Sequence, residues 1–263
     1  MVDAVAAGMT LMTAVLEAQS ISRSFGGIHA VANVDLSLAT GQIHAVIGPN
    51  GAGKTTLVGL LAGGLKPDDG EIYLRQRNVT AMPVHERAKL GLGRTFQITS
   101  LFPGFSVFEN IAIAVQGHHR HSFRFWSPAY QKSSLTDRVH QLARQMDLDQ
   151  DQDAKAGELS HGKHRLLELA MALAASPSVL LLDEPAAGLG IEETQHLIAI
   201  LERIKAHAAI LLVEHDMDVV FSVADQVTVM VDGQIIATGG PDEIRSNQQA
   251  QRAYLGEGES LDA

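Results

Sequence analysis

Cysteine is absent from all 263 residues of the chain. Disulfides and thiolate metal sites are therefore excluded, while the compartment is not determined. Basic residues are also few, since 20 Lys and Arg stand against 30 Asp and Glu and give a formal net charge of −10. This balance argues against nucleic-acid binding by the chain as a whole, because neutralising phosphates requires a basic face.

Long apolar runs are missing as well. No stretch of about 18 consecutive apolar residues occurs, so we predict no membrane-spanning helix. Residues 1–16 are small and apolar but lack a basic start, which argues against a secretory signal. We expect them to form an N-terminal extension. A hydrophobic share of 46% is ordinary for a globular chain, and this length allows one large domain or two small ones.

Residues 48–56 match the phosphate-loop pattern G-x-x-x-x-G-K-[ST]. An apolar run at 43–47 predicts a buried strand before the loop, and an apolar stretch after it predicts a helix. Backbone N–H groups of such a turn and the helix dipole favour bound phosphate. Lys54 is expected to reach the β- and γ-phosphates of a nucleotide, and Thr55 to ligate Mg²⁺. The predicted phosphate-binding residues are Gly48, Pro49, Asn50, Gly51, Ala52, Gly53, Lys54, Thr55 and Thr56. A chance match in a glycine-rich loop is the alternative.

Two further strands end in polar residues. The apolar run 179–182 leads into Asp183 and Glu184, and the run 209–213 is followed by His215. Asp183 is predicted to hold Mg²⁺ through water and Glu184 to act as general base on the attacking water. His215 is predicted to sense the γ-phosphate. A helix-entry turn at 183–185 and a structural histidine at a strand end are the alternatives.

Two side chains extend this predicted site. Gln97, at the end of a predicted strand, is expected to reach Mg²⁺ and the water, or else to be a loop amide. Phe25, beside a Gly-Gly turn, is expected to stack on a purine, or else to be a half-buried turn aromatic. Ser160 is expected to cap a helix running to residue 175. Strands alternating with helices predict a parallel α/β sheet with its ligand at the carboxyl edge.

Other segments are predicted from local patterns. Residues 17–22 and 31–38 alternate as strands of an antiparallel layer, and Ser106 with Glu109 predicts a capping box. The stretch 117–134 is rich in histidine and aromatics. A plain surface loop, a membrane or partner contact, and a metal site at His118, His119 and His121 are the alternatives there.

The order of these motifs resembles that of ABC transporter ATPase subunits: phosphate loop, Gln97, Leu-Ser-x-Gly at 159–162, Leu-Leu-Leu-Asp-Glu-Pro at 180–185, and His215. The resemblance covers residues 17 to about 255. It implies a P-loop NTPase (RecA-like) α/β core with an antiparallel β subdomain and an inserted α-helical subdomain. The implied division is an extension at 1–16, a core with β subdomain at 17–96 and 166–263, and a helical subdomain at 97–165.

The resemblance also implies roles for matching residues. Phe25 corresponds to the adenine-stacking aromatic, residues 48–56 to Walker A, and residues 179–183 to Walker B. Residues 159–163 correspond to the signature motif. Two subunits of this family pair head to tail, so Ser160 and Gly162 are expected to contact, in trans, the ATP held by the partner's Walker A. The implied catalytic residues are Glu184, His215, Gln97 and Lys54, and the implied Mg²⁺ ligands are Thr55, Gln97 and Asp183.

Two departures from the family pattern affect these expectations. His161 and Lys163 replace glycine and glutamine of the signature, and Gly190 replaces the aspartate that ends the D-loop. Activity is expected to survive because Ser160 and Gly162 are kept. The replacement of aspartate by Gly190 is expected to affect communication between the two subunits of the dimer.

Short stretches at 25–28, 93–97, 181–188, 213–217 and 253–256 are similar to the ATPases of branched-chain (hydrophobic) amino acid importers, in particular the larger of their two ATPase subunits. Related importers carry urea, amides or aromatic acids.

The implied cofactors are ATP and Mg²⁺. The implied partners are two membrane permeases, a second ATPase or another copy of this chain, and, indirectly, a periplasmic or extracellular solute-binding protein, with no nucleic acid. The implied place is the cytoplasmic face of the inner membrane, as a peripheral subunit.

The permeases are expected to dock near residues 97–115, where Leu101, Phe102 and Phe105 are candidate contacts or else ordinary core residues. A soluble ABC ATPase outside transport is the less favoured alternative, because such chains usually carry two cassettes or a long coiled coil. A nucleotide-gated scaffold without hydrolysis is disfavoured by Glu184 and His215.

Overall fold

The computed structural model describes residues 14–95, 101–118 and 133–255. Gln97 and most of the histidine- and aromatic-rich stretch lie outside the described residues. The strands are β1 (Ala14–Phe25), β2 (Ile28–Ala39), β3 (Ile43–Ile47), β4 (Asp69–Leu74), β5 (Arg77–Asn78), β6 (Leu92–Arg94), β7 (Val179–Asp183), β8 (Ala209–Val213), β9 (Gln226–Val231) and β10 (Gln234–Gly239). The helices are α1 (Lys54–Ala62), α2 (Val84–Lys89), α3 (Val107–His118), α4 (Ser133–Gln145), α5 (His161–Ala172), α6 (Ile191–Lys205), α7 (Met217–Val223), α8 (Pro241–Ser246) and α9 (Gln248–Leu255).

A six-stranded sheet forms the centre of the described structure, in the order β10-β9-β3-β8-β7-β6. The five strands β9, β3, β8, β7 and β6 are parallel, and β10 closes one edge as the antiparallel half of a hairpin. Strands β3, β7 and β8 are buried at every residue, as expected for parallel strands covered on both faces. The predicted parallel sheet is therefore confirmed.

A second, antiparallel sheet packs on one face of the first. Its order is β2-β1-β4-β5. Alternate residues of β7 serve different cores: Val179 and Leu181 pack toward α1 and the antiparallel sheet, whereas Leu180 and Leu182 pack toward α3, α4, α5 and α6. The period-2 alternation of a strand thus joins the two layers through one central element.

Strand β1 begins earlier than the sequence pattern predicted. Residues 14–16, which we expected within the N-terminal extension, belong to this strand, and Leu16 is fully buried. Leu16 lies between Leu38 of β2 and Leu74 of β4. These cross-strand neighbours, which are distant in sequence, make the position part of the core. Residues 1–13 are outside the described residues.

The capping box predicted before α3 is confirmed. The Ser106 N–H donates to Glu109 Oε2 at 2.8 Å, and the Glu109 N–H donates to Ser106 Oγ at 3.1 Å. Two N–H groups that a helix start leaves unpaired are thereby satisfied. The helices within the described ranges all fall short of the length and apolar character needed to cross a bilayer.

Arg87 of α2 is completely buried, and its hydrogen bonds within the described residues all go to carbonyl groups. Its Nη1 donates to Leu60 O at 2.8 Å and Leu61 O at 2.7 Å, and its Nε donates to Met82 O at 3.0 Å. Leu60 and Leu61 lie in the last turn of α1, where carbonyls lack helical partners and the helix dipole favours a cation. Burial lowers the pKa of Arg87 to about 10. Arg87 therefore fastens the end of the helix that follows the phosphate loop.

Replacing Arg87 with methionine should lower the free energy of unfolding by about 3–5 kcal/mol, because the buried carbonyls lose their donors. Urea unfolding followed by circular dichroism measures this loss. Arg77→Met, at an exposed position of β5, serves as the control and should change stability by less than about 0.5 kcal/mol. Equal stability of the two variants would contradict this role of Arg87.

His44 of β3 is a buried histidine with two partners. Its Nε2 lies 2.8 Å from Thr228 Oγ1, and its Nδ1 lies 3.1 Å from Ser37 O. Burial lowers the pKa of His44 to about 4, against an ordinary value near 6.5. Between these two values the unfolded chain binds a proton that the folded chain excludes, so stability is lost as pH falls.

Acidification from pH 7 to pH 4 should therefore remove up to about 3 kcal/mol of stability through His44. Urea unfolding at both pH values, in wild type and in a His44→Gln variant, isolates this contribution. The variant should show a correspondingly smaller loss between the two pH values. An identical loss in both proteins would contradict the assignment.

Candidate nucleotide site

The phosphate loop follows β3 and leads directly into α1, as predicted. Gly48, Gly51 and Gly53 have φ angles of 147°, 84° and 99°, a region that favours glycine. A side chain on Gly48 would overlap the Met230 carbonyl oxygen, and one on Gly53 would overlap the Ala30 carbonyl oxygen. Close approach of neighbouring backbone therefore fixes the loop, and its turn leaves the N-terminus of α1 open for an anion.

Lys54 lies at the first position of α1 and folds back over the loop. Its Nζ donates to Gly48 O at 2.7 Å and to Pro49 O at 3.0 Å. Burial lowers the pKa of the Lys54 amine, while the charges of Glu184 and Asp183 act in the opposite direction. The ammonium is therefore held among the loop carbonyls. Thr55, next in α1, is exposed.

Asp183 ends β7 with its side chain 1% exposed. Neither carboxylate oxygen has a hydrogen-bond partner within the part of the chain that the structure describes. Burial raises the pKa of the Asp183 carboxyl, the charge of Arg94 lowers it, and Arg94 Nη2 lies 3.7 Å from Asp183 Oδ2. A buried carboxylate without hydrogen-bond donors is suited to a cation.

Glu184 adopts a left-handed backbone conformation with φ of 51°, unusual for a residue with a side chain. Its N–H donates to Val213 O at 2.8 Å, which continues the ladder between β7 and β8 for one more residue. Such backbone strain concentrates at functional sites.

A cavity of about 390 Å³ brings the predicted phosphate-site residues together. Its wall comprises Gly48, Pro49, Asn50, Glu184, His215 and Met217. These residues follow three neighbouring parallel strands, β3, β7 and β8, at their carboxyl ends. The His215 side chain is 61% exposed. The loop, the predicted base and the predicted sensor therefore face one space, as the sheet topology requires.

The signature residues lie elsewhere. Ser160 caps α5 as predicted, since its Oγ accepts from the Lys163 N–H at 3.3 Å. Ser160 and Gly162 line a separate cavity of about 170 Å³. The structure thus does not bring these two residues to the phosphate loop of their own chain.

Phe25 ends β1 with 44% of its surface exposed. The Arg23 guanidinium lies 4.9 Å from the centre of its ring, an arrangement that allows a cation–π contact. The adjoining strand β2 reaches the phosphate loop, because Ala30 lies against Gly53. Phe25 is thus an exposed ring on the sheet that borders the loop. Gln97 is outside the described residues.

Residues 31–187 match a protein family described as ABC transporter. The chain belongs to the ABC transporter family. It therefore has the ATP-binding, ATP-hydrolysing cassette of these transporters, and the resemblance drawn from the order of its motifs is confirmed. A second match covers residues 234–260 of this ABC ATPase, and its description is Branched-chain amino acid ATP-binding cassette transporter.

Curated relatives cover nearly the whole of this ABC ATPase. It is 38% identical over 249 residues to the high-affinity branched-chain amino acid transport ATP-binding protein LivG of Salmonella typhimurium, covering 92% of this chain and 98% of the relative. It is 37% identical over 251 residues to the BraF protein of the same description from Pseudomonas aeruginosa, with the same coverage.

The ADP conformation of MJ1267, an ATP-binding cassette of an ABC transporter, superposes on this ABC ATPase with a TM-score of 0.83. The two are 30% identical in sequence, and the match covers 93% of this chain and 99% of the other. The P-loop NTPase fold expected from the sequence is confirmed by this likeness.

The unusual signature residues of this ABC ATPase have partners on their own chain. Lys163 Nζ lies 2.7 Å from Asp151 Oδ1. His161 is exposed, and its ring lies beside Gly188. Within the described residues, the Gly162 N–H and Ser160 Oγ donate to Glu193 and to neither of these side chains. The two replacements are therefore compatible with an intact helix start.

Glu193 of α6 is a contact that the sequence patterns did not reveal. Its Oε1 accepts from the Gly162 N–H at 3.1 Å and from Ser160 Oγ at 3.4 Å, and its Oε2 accepts from the Gly190 N–H at 3.3 Å. One carboxylate thus joins the signature to the position where the D-loop aspartate is replaced. Glu193 lies three residues after Gly190, and this capping spacing was the signal that sequence reasoning missed.

Glu214, directly before His215, is another missed residue. It is fully buried and accepts from the Ala186 N–H at 2.7 Å and the His215 N–H at 3.2 Å. Burial raises the pKa of its carboxyl, while the two N–H donors lower it. Glu214 therefore fastens the segment after Glu184 to the segment that carries His215. A carboxylate continuing an apolar strand was its only sequence signal.

Proposed function

We propose that this ABC ATPase energises an importer for branched-chain or other hydrophobic amino acids. The observation that carries the proposal is the shared cavity of phosphate loop, Glu184 and His215 in a chain that aligns over 92% of its length with LivG. The match of residues 234–260 supports the same solute class. Importers for urea, amides or aromatic acids remain the alternatives within this proposal.

ATP is bound by the loop and by Lys54, which leaves the carbonyls of Gly48 and Pro49 to contact phosphate oxygens. The residues that hold Mg²⁺ are Thr55, Asp183 and Gln97. The buried Asp183 oxygens, unpaired by hydrogen bonds within the described ranges, fit a cation. The metal supplies positive charge to the phosphates. Phe25 stacks on the adenine, and its exposure supports this role.

Hydrolysis requires a water that attacks the γ-phosphate. Glu184 accepts the proton of that water, and His215, which lines the same cavity, contacts the γ-phosphate. Lys54 and the loop N–H groups stabilise the charge that develops on the phosphate oxygens. The position of Glu184 beside the loop, one residue beyond Asp183, supports this division of roles.

A second ATPase subunit completes the site, with Ser160 and Gly162 contacting the γ-phosphate in trans. Their separation from the loop of their own chain supports this arrangement. The Gly162 N–H cannot donate to both Glu193 and a phosphate. Glu193 therefore releases the Gly162 N–H when the two ATPase subunits close on ATP. The dimer pairs this chain with a different ATPase, or with a second copy of itself.

A groove between α2, β6, α3 and α5 is the surface proposed for docking two membrane permeases. It encloses about 260 Å³, and its apolar lining includes Val84, Ala88, Leu101, Ala114 and Met171. Phe102 and Phe105 are 46% and 44% exposed nearby, and their rings stack at 5.5 Å. Exposed apolar surface of this kind favours protein contacts. Docking there places the chain at the cytoplasmic face of the inner membrane, with a solute-binding protein acting from the other side.

We also propose the domain division that the resemblance to ABC transporter ATPases implies. Residues 14–96 and 166–263 form the core with the β subdomain, since β1 begins at residue 14, and 97–165 form the helical subdomain that carries the signature. The described part of this insertion contains α3, α4 and the start of α5.

Affinity purification of the chain from membranes of its native host, with mass spectrometry of its partners, tests this proposal. Recovery of two permeases, a second ATPase and a solute-binding protein is the expected result. The solute-binding protein then identifies the solute by direct binding assays with leucine, urea, amides and aromatic acids. Recovery of ribosomal or DNA-repair proteins alone would contradict the transport role.

A further inference from the structure

Arg94 is the cation that faces Asp183 in the structure. The two form an ion pair at 3.7 Å, longer than a hydrogen bond, with Arg94 22% exposed and Asp183 1% exposed. No other ion pair to Asp183 occurs among the described residues. Lys54, the other nearby cation, donates to the loop carbonyls instead. Glu184 adds a second negative charge beside Asp183.

The backbone fixes Arg94 in this position. In the parallel ladder between β6 and β7, Arg94 pairs with Leu181, two residues before Asp183. The Thr95 N–H continues the ladder by donating to Leu181 O at 3.1 Å. Among the described residues, strand β6 is the edge strand of the sheet.

Arg94 also reaches the docking groove. Together with Gly93 and Thr95 it lines the 260 Å³ groove whose other walls come from α2, α3 and α5. The guanidinium Nε has no hydrogen-bond partner within the described ranges. One side chain therefore contacts both the buried carboxylate and the apolar groove, without a hydrogen bond to hold it to either.

We propose that Arg94 is a positioning residue that balances the charge of Asp183 while no metal is bound and withdraws when Mg²⁺ binds. The inference rests on the Mg²⁺ role proposed for Asp183. A guanidinium 3.7 Å from Asp183 repels a divalent cation at the same carboxylate, so the two cations compete. A permease segment that draws Arg94 into the groove therefore strengthens Mg²⁺ binding at Asp183. Because binding effects between two sites are reciprocal, Mg²⁺ binding strengthens the docking of that segment by the same factor.

Magnesium titrations of ATP binding by the purified wild type and an Arg94→Gln variant test the inference. Loss of the competing cation should lower the Mg²⁺ concentration for half-maximal binding by about five- to tenfold. The same variant should unfold at a lower temperature when metal and nucleotide are absent, because Asp183 then lacks its counter-ion. If the role of Arg94 were purely structural, the variant would show both weaker Mg²⁺-dependent ATP binding and a lower unfolding temperature.

Two further variants keep the result interpretable. Arg77→Gln removes the same charge from an exposed site and should leave the magnesium titration unchanged. Arg94→Lys keeps the charge on a different head group and should fall between wild type and Arg94→Gln, which keeps the inference testable if the glutamine variant does not fold.

Suppose that wild-type ATP binding needs Mg²⁺ and that the Arg94 variants need as much Mg²⁺ or more. This result would overturn the inference and leave the proposed function intact. Binding of ATP by the wild type without any dependence on Mg²⁺ would instead overturn the proposed metal site, and the inference with it.

Discussion

Replacing Glu184 with glutamine should slow ATP hydrolysis by about 10²–10⁴-fold, the usual contribution of a general base. Glutamine keeps the shape of the side chain but cannot take the proton of the attacking water. Glu184 borders the cavity of the phosphate loop, and its backbone has a strained φ of 51°. ATP binding should persist, because the loop and Lys54 are unchanged.

The release of phosphate under saturating Mg²⁺ and ATP measures this effect. Glu192→Gln, at an exposed position of α6, is the matched control and should hydrolyse ATP at the wild-type rate. Because hydrolysis is blocked, the ATP-bound dimer should accumulate, formed with the second ATPase or with another copy of this chain. Hydrolysis by Glu184→Gln at the wild-type rate would show that another group is the base.

Replacing Gly53 with alanine should abolish ATP binding and lower stability by several kcal/mol. The added methyl group would overlap the Ala30 carbonyl oxygen, and the φ of 99° disfavours any side chain. Relief of the overlap requires the loop or β2 to move. Either movement alters the N–H groups that bind phosphate.

Gly51→Ala separates the two causes. Gly51 also has a positive φ, of 84°, but an added methyl group would meet nothing within 4 Å. This variant should lose only about 1 kcal/mol, from backbone strain. Fluorescent ATP binding and urea unfolding on both variants provide the comparison. Equal losses in the two variants would show that overlap with Ala30 does not determine the loop.

Much of the nucleotide site could be predicted because its signals are local. The loop and the Asp183-Glu184 pair are each encoded within a few residues, and the structure places them as expected; the same holds outside the site for the Ser106 capping box. The parallel order of strands then brings Glu184 and His215 to the loop. Short-range pattern and sheet topology were enough for these features.

Other features depend on contacts between distant parts of the chain, which one sequence does not reveal. Arg87 caps a helix 26 residues earlier, and Glu193 reaches a signature residue 31 positions away. The early start of β1 follows from cross-strand neighbours of Leu16. The pairing of Arg94 with Asp183 likewise requires the register of β6 on β7.

Uptake of radiolabelled leucine, isoleucine and valine by the native host tests the central claim most directly. Cells that lack this gene should lose high-affinity uptake of these amino acids. A plasmid copy of the wild-type gene should restore it, and a Glu184→Gln copy expressed at the same level should not. Unchanged uptake of all three amino acids in the deleted cells, or full restoration by the Glu184→Gln copy, would contradict an ATPase that energises their import.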